Sequence, residues 1–420
     1  MNGGRMHELV ERLYPICRSI TGDGVRRTLE IVGEHLPLTV TEVPTGTEVL
    51  DWNVPTEWNI RDAYVKDPSG RRVIDFRESN LHVVGYSVPV SGTYTLEELR
   101  PRLHTLPDQP GLIPYRTSYY AETWGFCLSQ NALDALGEGP YEVLIDSTLE
   151  DGSLTIAEHV VPGRLPDEVV ISCHVCHPSL ANDNLAGIAV AVALALRLKE
   201  PRYTYRFLFM PGTIGAITWL ALNRGRVHLI AGGLTLACAG DPGALTYKRS
   251  RRGDAEIDRA VEHVLDDRPH RVLDFSPYGY DERQFCSPGF NLPFGSLTRT
   301  PYAGYPEYHT SGDNPGFVTP EAMEDTLDAL VRVVEVLEGN RTYVNLSPYG
   351  EPQLGRRGLY GSLGGRSDTK QAQMAMLWVL NLSDGDHSLL DIARRSELPF
   401  AAVERAAHAL LDAGLVKEKA

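Results

Sequence analysis

The sequence predicts an α/β chain built as a three-layer sandwich around a mixed β-sheet, with a β-rich segment and a C-terminal winged-helix domain. Three observations predict it. The apolar runs Glu168-Val-Val-Ile-Ser172 and Tyr205-Arg-Phe-Leu-Phe-Met210 flank an alanine-rich stretch from Ala186 to Leu198, the strand–helix–strand texture of a sheet buried on both faces. From Leu38 to about Tyr120 the chain breaks into short alternating runs punctuated by prolines and turns, which is β-rich texture. After Asp368 come three short helical patterns that end at Gly414.

Taken in order, Met6 to His35 places apolar residues at Leu9, Leu13, Ile16, Ile20, Val25, Leu29 and Val32, a spacing for two amphipathic helices broken at Thr21-Gly22-Asp23-Gly24. Arg72-Val-Ile-Asp-Phe76 and Leu81-His-Val-Val-Gly-Tyr86 follow as strands around the turn Asp67-Pro-Ser-Gly70. Tyr141-Glu-Val-Leu-Ile145 is read as the first strand of the α/β alternation. Ligands of such sheets sit beyond the carboxyl ends of strands, so chemistry is expected in the loops after Ser172, Met210 and Ala239. Tyr349 to Asp368, rich in Gly, Ser, Arg and Pro, reads as a linker. Gln371–Leu380, Ser388–Ser396 and Pro399–Ala413 are helices, and the residues after Gly414 form a wing. The expected division is 1–50 with 125–348 for the α/β domain, 51–124 for the β-rich domain and 369–420 for the winged helix.

Composition removes several functions. A formal charge of −15 over 420 residues lacks the basic footprint that a nucleic-acid surface needs. The third C-terminal helix, with Glu404 and Asp412 against Arg405, is likewise too acidic to read DNA, so its module is expected to dock protein or form a homodimer. No apolar run approaches the roughly 20 residues of a membrane span. Met1 to Leu9 lacks the apolar stretch of a signal peptide, and the six cysteines are sparse and scattered, so a cytoplasmic chain with reduced thiols is expected. Cys173 and Cys176 form a C-x-x-C with no second pair to complete a four-cysteine zinc site.

The most informative stretch is Ile171-Ser-Cys-His-Val-Cys-His-Pro-Ser-Leu-Ala-Asn-Asp-Asn-Leu-Ala-Gly187. Two histidines three apart at a strand end, His174 and His177, followed by Asp183 in a polar loop, set nitrogen and oxygen donors where a divalent metal can bind. The bland alternative is a strand-end histidine and an aspartate that merely caps the following helix. A second polar cluster, Glu307-Tyr-His-Thr-Ser-Gly-Asp-Asn314, precedes a helix at Thr319–Leu337 and offers His309 as a closing ligand.

These elements, in this order, resemble the zinc aminopeptidases of the M28-like clan. More closely, they and Pro211-Gly-Thr-Ile-Gly-Ala216, Asp281-Glu-Arg-Gln-Phe-Cys-Ser-Pro288 and Tyr305-Pro-Glu-Tyr-His-Thr-Ser311 resemble the bacterial DUF4910 aminopeptidase-like family. That resemblance implies a zinc-exopeptidase-like fold, a DUF2172-type insertion around Trp58-Asn-Ile-Arg-Asp62 and His104-Thr-Leu-Pro107, and a C-terminal winged helix. It implies one or two zinc ions, with Asp183 as bridging aspartate, His309 as distal ligand and Asp241 as the remaining aspartate. The proximal histidine is His174 by its strand-end position or His177 by the His-Pro pair.

One departure matters. Where the clan carries two consecutive glutamates, this chain has Gly212-Thr213, and neither replaces a carboxylate. Glu282 and Glu307 are the nearest candidate bases by motif, with Asp281 behind them. Arg116, Tyr119, Tyr120 and Trp124 are candidates for a substrate wall, or else core. The expected function is zinc-dependent hydrolysis of an amide bond in a small aminoacyl or peptide substrate. The alternatives are a non-catalytic metal-binding or regulatory protein on a hydrolase scaffold, or a mono-zinc aminoacyl cyclase or transferase.

Overall fold

The apolar strands predicted on either side of the alanine-rich helix pair in parallel, His174 opposite Met210, in the computed structural model, which describes residues 1–359 and 366–419. They lie inside an eight-stranded mixed sheet. Its order is Thr39–Pro44, Ser153–Val161, Thr204–Met210, Glu168–His174, Ile230–Leu236, Phe294–Thr298, Leu245–Lys248 and His270–Leu273. The four central strands are mutually parallel, so the carboxyl ends at His174, Met210, Leu236 and Thr298 open on one edge.

Both faces of the sheet are covered, as continuous apolar strands require. On one face Val170, Leu208 and Met210 pack with Ile214, Ile217 and Leu220 of the helix Ile214–Leu222. On the other lies the helix Gly187–Arg197, whose residues Gly187 to Ala195 are all buried. The two N-terminal helices are Gly3–Leu13 and Asp23–Gly33, separated at the predicted glycine break.

A second, four-stranded antiparallel sheet runs Arg72–Asp75, Glu57–Lys66, Tyr141–Glu150 and Val90–Tyr94. Tyr141–Glu150 therefore belongs to this sheet and does not open the α/β alternation. The reason is visible in its burial, since Tyr141, Val143 and Ile145 are buried while Glu142 is exposed. That period of two marks a sheet with one wet face.

Residues 1–258 with 268–328 form one compact unit, and residues 259–267 with 329 onward form a second. In the second unit the helices Arg366–Leu382, Leu389–Ser396 and Phe400–Asp412 accompany a three-stranded sheet of Thr342–Asn345, Asp384–Ser388 and Val416–Glu418, a winged helix. Part of the predicted linker, residues 360–365, lies outside the described residues; Leu354–Arg357 within it is a short 3-10 turn. No helix among the described residues is long and apolar enough to cross a membrane.

Candidate metal centre

The strand Glu168–His174 delivers His174 to the carboxyl edge of the sheet, and the chain then turns through Val175–Leu180 before the helix Gly187–Arg197 begins. In the intervening segment Ala181–Ala186, Asp183 and Asn184 leave helical geometry, and Asp183 is fully buried. Two side chains hold that segment. The Asp313 carboxylate accepts from the backbone N–H groups of Asn182 at 2.6 Å and Asp183 at 3.1 Å. The Asn182 amide donates to Asp241 at 3.1 Å and accepts from Gly240 N–H at 2.9 Å.

Asp183 is thereby presented to three imidazoles. His174 Nε2 lies 2.8 Å from Asp183 Oδ1 and 3.1 Å from His177 Nδ1. His177 Nδ1 is 3.5 Å and His309 Nε2 3.0 Å from Asp183 Oδ2. His309 takes a left-handed backbone, φ 54°, and its carbonyl accepts from Tyr115 N–H at 2.8 Å. A bulky residue persists in that region only when its surroundings over-determine it.

These separations suit a cation. A tetrahedron of bonds of about 2.0 to 2.1 Å has edges of about 3.3 Å, close to the donor spacings here. His174, His177 and Asp183 can each turn one donor atom to a common point, and His309 approaches the second oxygen of the same carboxylate.

The electrostatics agree with a donor cluster. Burial works against the Asp183 carboxylate, yet the surrounding histidines outweigh it and hold its pKa well below the usual range. Burial pulls His177 down to about 3, which keeps the ring neutral and its lone pair free for a metal. For His174 burial is outweighed by Asp183 and Asp281, and its pKa rises. Asp313 is pushed up to about 8, chiefly by burial, with Asp183 adding to the effect.

A cavity of about 270 Å³ opens over this cluster. Tyr280 stacks on His174 with ring centres 5.5 Å apart, Tyr308 on His309 at 4.0 Å, and Tyr115 meets both His177 and His309 edge-on. At the Gly212-Thr213 turn the backbone does what no side chain there can. Thr213, held at φ 65°, donates its N–H to Asp281 Oδ1 at 2.6 Å, and Gly212 N–H donates to Cys176 Sγ at 3.2 Å. Asp281 is buried, lines the cavity, and is raised by burial to about 6.

The predicted ligands His174, His177, Asp183 and His309 thus come together. Asp241 is otherwise engaged: Oδ1 accepts from Gly243 N–H and Thr300 Oγ1, Oδ2 from Thr300 N–H and Asn182. It buttresses the Asp183 segment through Asn182. Glu282 is fully buried but faces Lys248 in an ion pair, and half-buried Glu307 does not line the cavity. Neither candidate base is among the described lining residues, whereas Asp281 is. Of the predicted wall, Tyr119 and Tyr120 line the cavity. Arg116 is exposed elsewhere, and Trp124 packs on Arg102 and Tyr94 in the β-rich part. Trp52, Tyr278, Tyr302 and Tyr308 were not singled out from sequence; only their density in aromatic clusters signals them.

Residues 7–340 match the family described as a domain of unknown function, DUF4910, and residues 341–418 match a winged helix-turn-helix family. The chain belongs to the DUF4910 family. A relative from Clostridium acetobutylicum is 52% identical over 419 residues, spanning 99% of this chain and 96% of its own, and is provisionally named a polysaccharide biosynthesis protein with an aminopeptidase-like domain. A crystal structure from Clostridium acetobutylicum, provisionally named a peptidase, superposes with a TM-score of 0.94 at 50% identity, covering 99% of this chain and 96% of that one. The zinc aminopeptidase BSAP of Bacillus subtilis aligns with 80% of this DUF4910 chain and 95% of its own, with a TM-score of 0.59 and 11% identity. A peptidase M28 precursor from Shewanella amazonensis gives 0.54 and 14%, over 79% and 92% of the two chains. At those identities the likeness is one of fold, and the fold is that of zinc aminopeptidases.

Proposed function

We propose that this DUF4910 protein is a zinc-dependent hydrolase that cleaves an amide bond of a small substrate, with Asp281 as its general base. The observation that carries the reading is a carboxylate at the cavity wall beside a three-histidine, one-aspartate cluster: Asp281, fixed by Thr213 N–H at 2.6 Å. His174, His177 and Asp183 would hold one zinc ion, with His309 on the second Asp183 oxygen. Zinc bound there would polarise the scissile carbonyl and acidify a water.

The remaining work falls to the chain's own groups. Asp281 takes a proton from the attacking water and returns it to the leaving nitrogen, for which a pKa near 6 suits a base working close to neutrality. Asp313 and Asn182 fix the Asp183 backbone, so the ligand carboxylate needs no reorganisation as charge develops. Tyr115, Tyr280 and Tyr308 pack against the imidazoles, hold their planes and exclude bulk water.

The carboxylate at the cavity also supports an enzyme over a binding protein that kept the scaffold. The fold of zinc aminopeptidases and the aminopeptidase-like domain in the relative's name support amide hydrolysis. The same name places the relative in polysaccharide biosynthesis, and we assign this chain to the same kind of pathway. We retain the cytoplasm as its place of action and a homodimer through the winged helix as its assembly.

The test is metal content of the purified chain beside His174→Ala and His309→Ala, with release of product from a panel of amides. About one zinc per chain, lost in His174→Ala, with turnover abolished by chelator, is the expected result. A chain that binds no zinc would overturn the reading.

A further inference from the structure

Three features around the cavity are not needed to hold a metal or move a proton. First, its mouth is rimmed by aromatic rings left open to solvent: Trp52 is 41% exposed, Tyr120 53% and Tyr278 66%. Trp52 and Tyr120 stand 5.6 Å apart, and Tyr278 and Tyr302 5.3 Å apart. Large rings clustered in the open at a cleft mark a surface for a ligand with an apolar face and polar edges.

Second, among the described residues those lining the cavity include no arginine or lysine, and Asp281 is their sole carboxylate. A short peptide brings a terminal carboxylate, and no arginine or lysine among these lining residues would pair with it.

Third, a smaller cavity of about 190 Å³ shares Tyr280 and Tyr302 with the first as walls. Its floor is the hydroxyl row Thr246, Ser296 and Thr298, set side by side because Thr246 pairs with Thr298 and Lys248 with Ser296 across two antiparallel strands. Thr246 Oγ1 is buried with no hydrogen-bond partner among the described residues. The Lys248 ammonium beside it is taken up by Glu282 and by the carbonyls of Ser276 and Tyr278. This side cavity therefore offers hydroxyls without free charge, and a buried hydroxyl lacking a partner is the group a ligand would satisfy.

We propose that the amide cleaved here is borne on a neutral sugar ring: the substrate is an N-acylated amino sugar whose ring face lies on the aromatic rim and whose hydroxyls reach the Thr246–Ser296–Thr298 row. This rests on the hydrolase reading above. In the reaction the acyl C–N bond breaks and the water oxygen bonds to the acyl carbon. One water proton passes by way of Asp281 to the sugar nitrogen, leaving a carboxylic acid and a free amino sugar. No oxidant or second substrate is required.

The experiment is calorimetric titration of the full-length, zinc-supplemented chain with N-acetylglucosamine and, separately, with alaninamide, repeated on Trp52→Ala and Thr246→Val. Release of amine from the sugar is followed in parallel. The sugar should bind more tightly than alaninamide, with its affinity reduced about tenfold in Trp52→Ala and about fivefold in Thr246→Val. Circular dichroism and zinc content should match the parent chain. Tighter binding of alaninamide, or sugar binding untouched by both substitutions, would overturn the proposal. Sugar binding with the expected sensitivity but no amine release would leave the sugar site standing and remove the hydrolase reading.

Discussion

Replacing Lys248 with methionine keeps most of the side chain's bulk but leaves Glu282 buried without its cation. Glu282 is fully buried, and neither of its oxygens receives a well-directed hydrogen bond, so the charge contact with Lys248 is its only compensation among the described residues. The ammonium also donates to the Tyr278 carbonyl at 2.9 Å and the Ser276 carbonyl at 3.3 Å. Removing one partner of such a buried pair costs about 3 to 5 kcal/mol, because the other charge is left uncompensated. For a unit of this size that corresponds to a fall in melting midpoint on the order of 10 °C. The assay is thermal and urea unfolding of Lys248→Met, Glu282→Leu and the double variant. The double variant should recover much of the loss, since apolar groups of similar volume replace a buried pair at little cost. A Lys248→Met loss below about 1 kcal/mol, or a double variant no more stable than Lys248→Met, would refute the reasoning.

Other expectations follow from single contacts. Arg26 donates to both Glu57 oxygens at 2.7 Å and holds that carboxyl at about 2, below its ordinary 4.5. Because the folded-state pKa is depressed, the stabilisation is complete above about pH 4.5 and is lost as pH falls through about 2. Allowing for solvent screening at half-exposed Arg26, Glu57→Gln should cost about 1 to 2 kcal/mol at pH 7, a gap that closes in acid unfolding near pH 2. In the winged helix, Ser388 and Asp391 form a reciprocal capping box, and Ser388→Ala should cost about 1 kcal/mol by urea unfolding. Gly22 sits at φ 95°, and a Cβ there would fall 2.1 Å from the Trp58 carbonyl oxygen. Gly22→Ala should therefore cost more than about 1 kcal/mol, read as a lowered melting midpoint.

Much of this architecture was legible in sequence because it is written locally. The continuous apolar runs ending at His174 and Met210, the alanine-rich helix between them, the capped helix after Ser388 and the helix after Pro399 each carry their own period and stop signals. The convergence of His174, His177 and Asp183 was legible for a related reason, since they fall within ten residues of one strand end. What failed depended on partners distant in sequence. Asp241 reads as a ligand until Thr300 and Asn182 are seen to occupy its oxygens. Glu282 reads as a base until Lys248 is found against it, and Asp281 stays in the background until the Thr213 N–H fixes it across 68 residues of chain. The aromatic mouth joins Tyr120, a candidate wall residue, to Trp52, Tyr278 and Tyr302, which carry no motif. Tyr141–Glu150 is rich in apolar residues like a buried parallel strand, but its alternating burial belongs to a sheet with one wet face.

The most direct test of the account is Asp281→Asn, an isosteric change that removes only the carboxylate charge. Zinc content, circular dichroism and amide hydrolysis would be measured beside the parent chain. Zinc is expected to stay at the parent level while turnover falls by about 10² to 10⁴, the range expected for loss of a general base. Zinc retained with turnover unchanged would contradict the role given to Asp281. Zinc lost with the substitution would make that carboxylate a ligand, and the centre built on His174, His177, Asp183 and His309 would have to be redrawn.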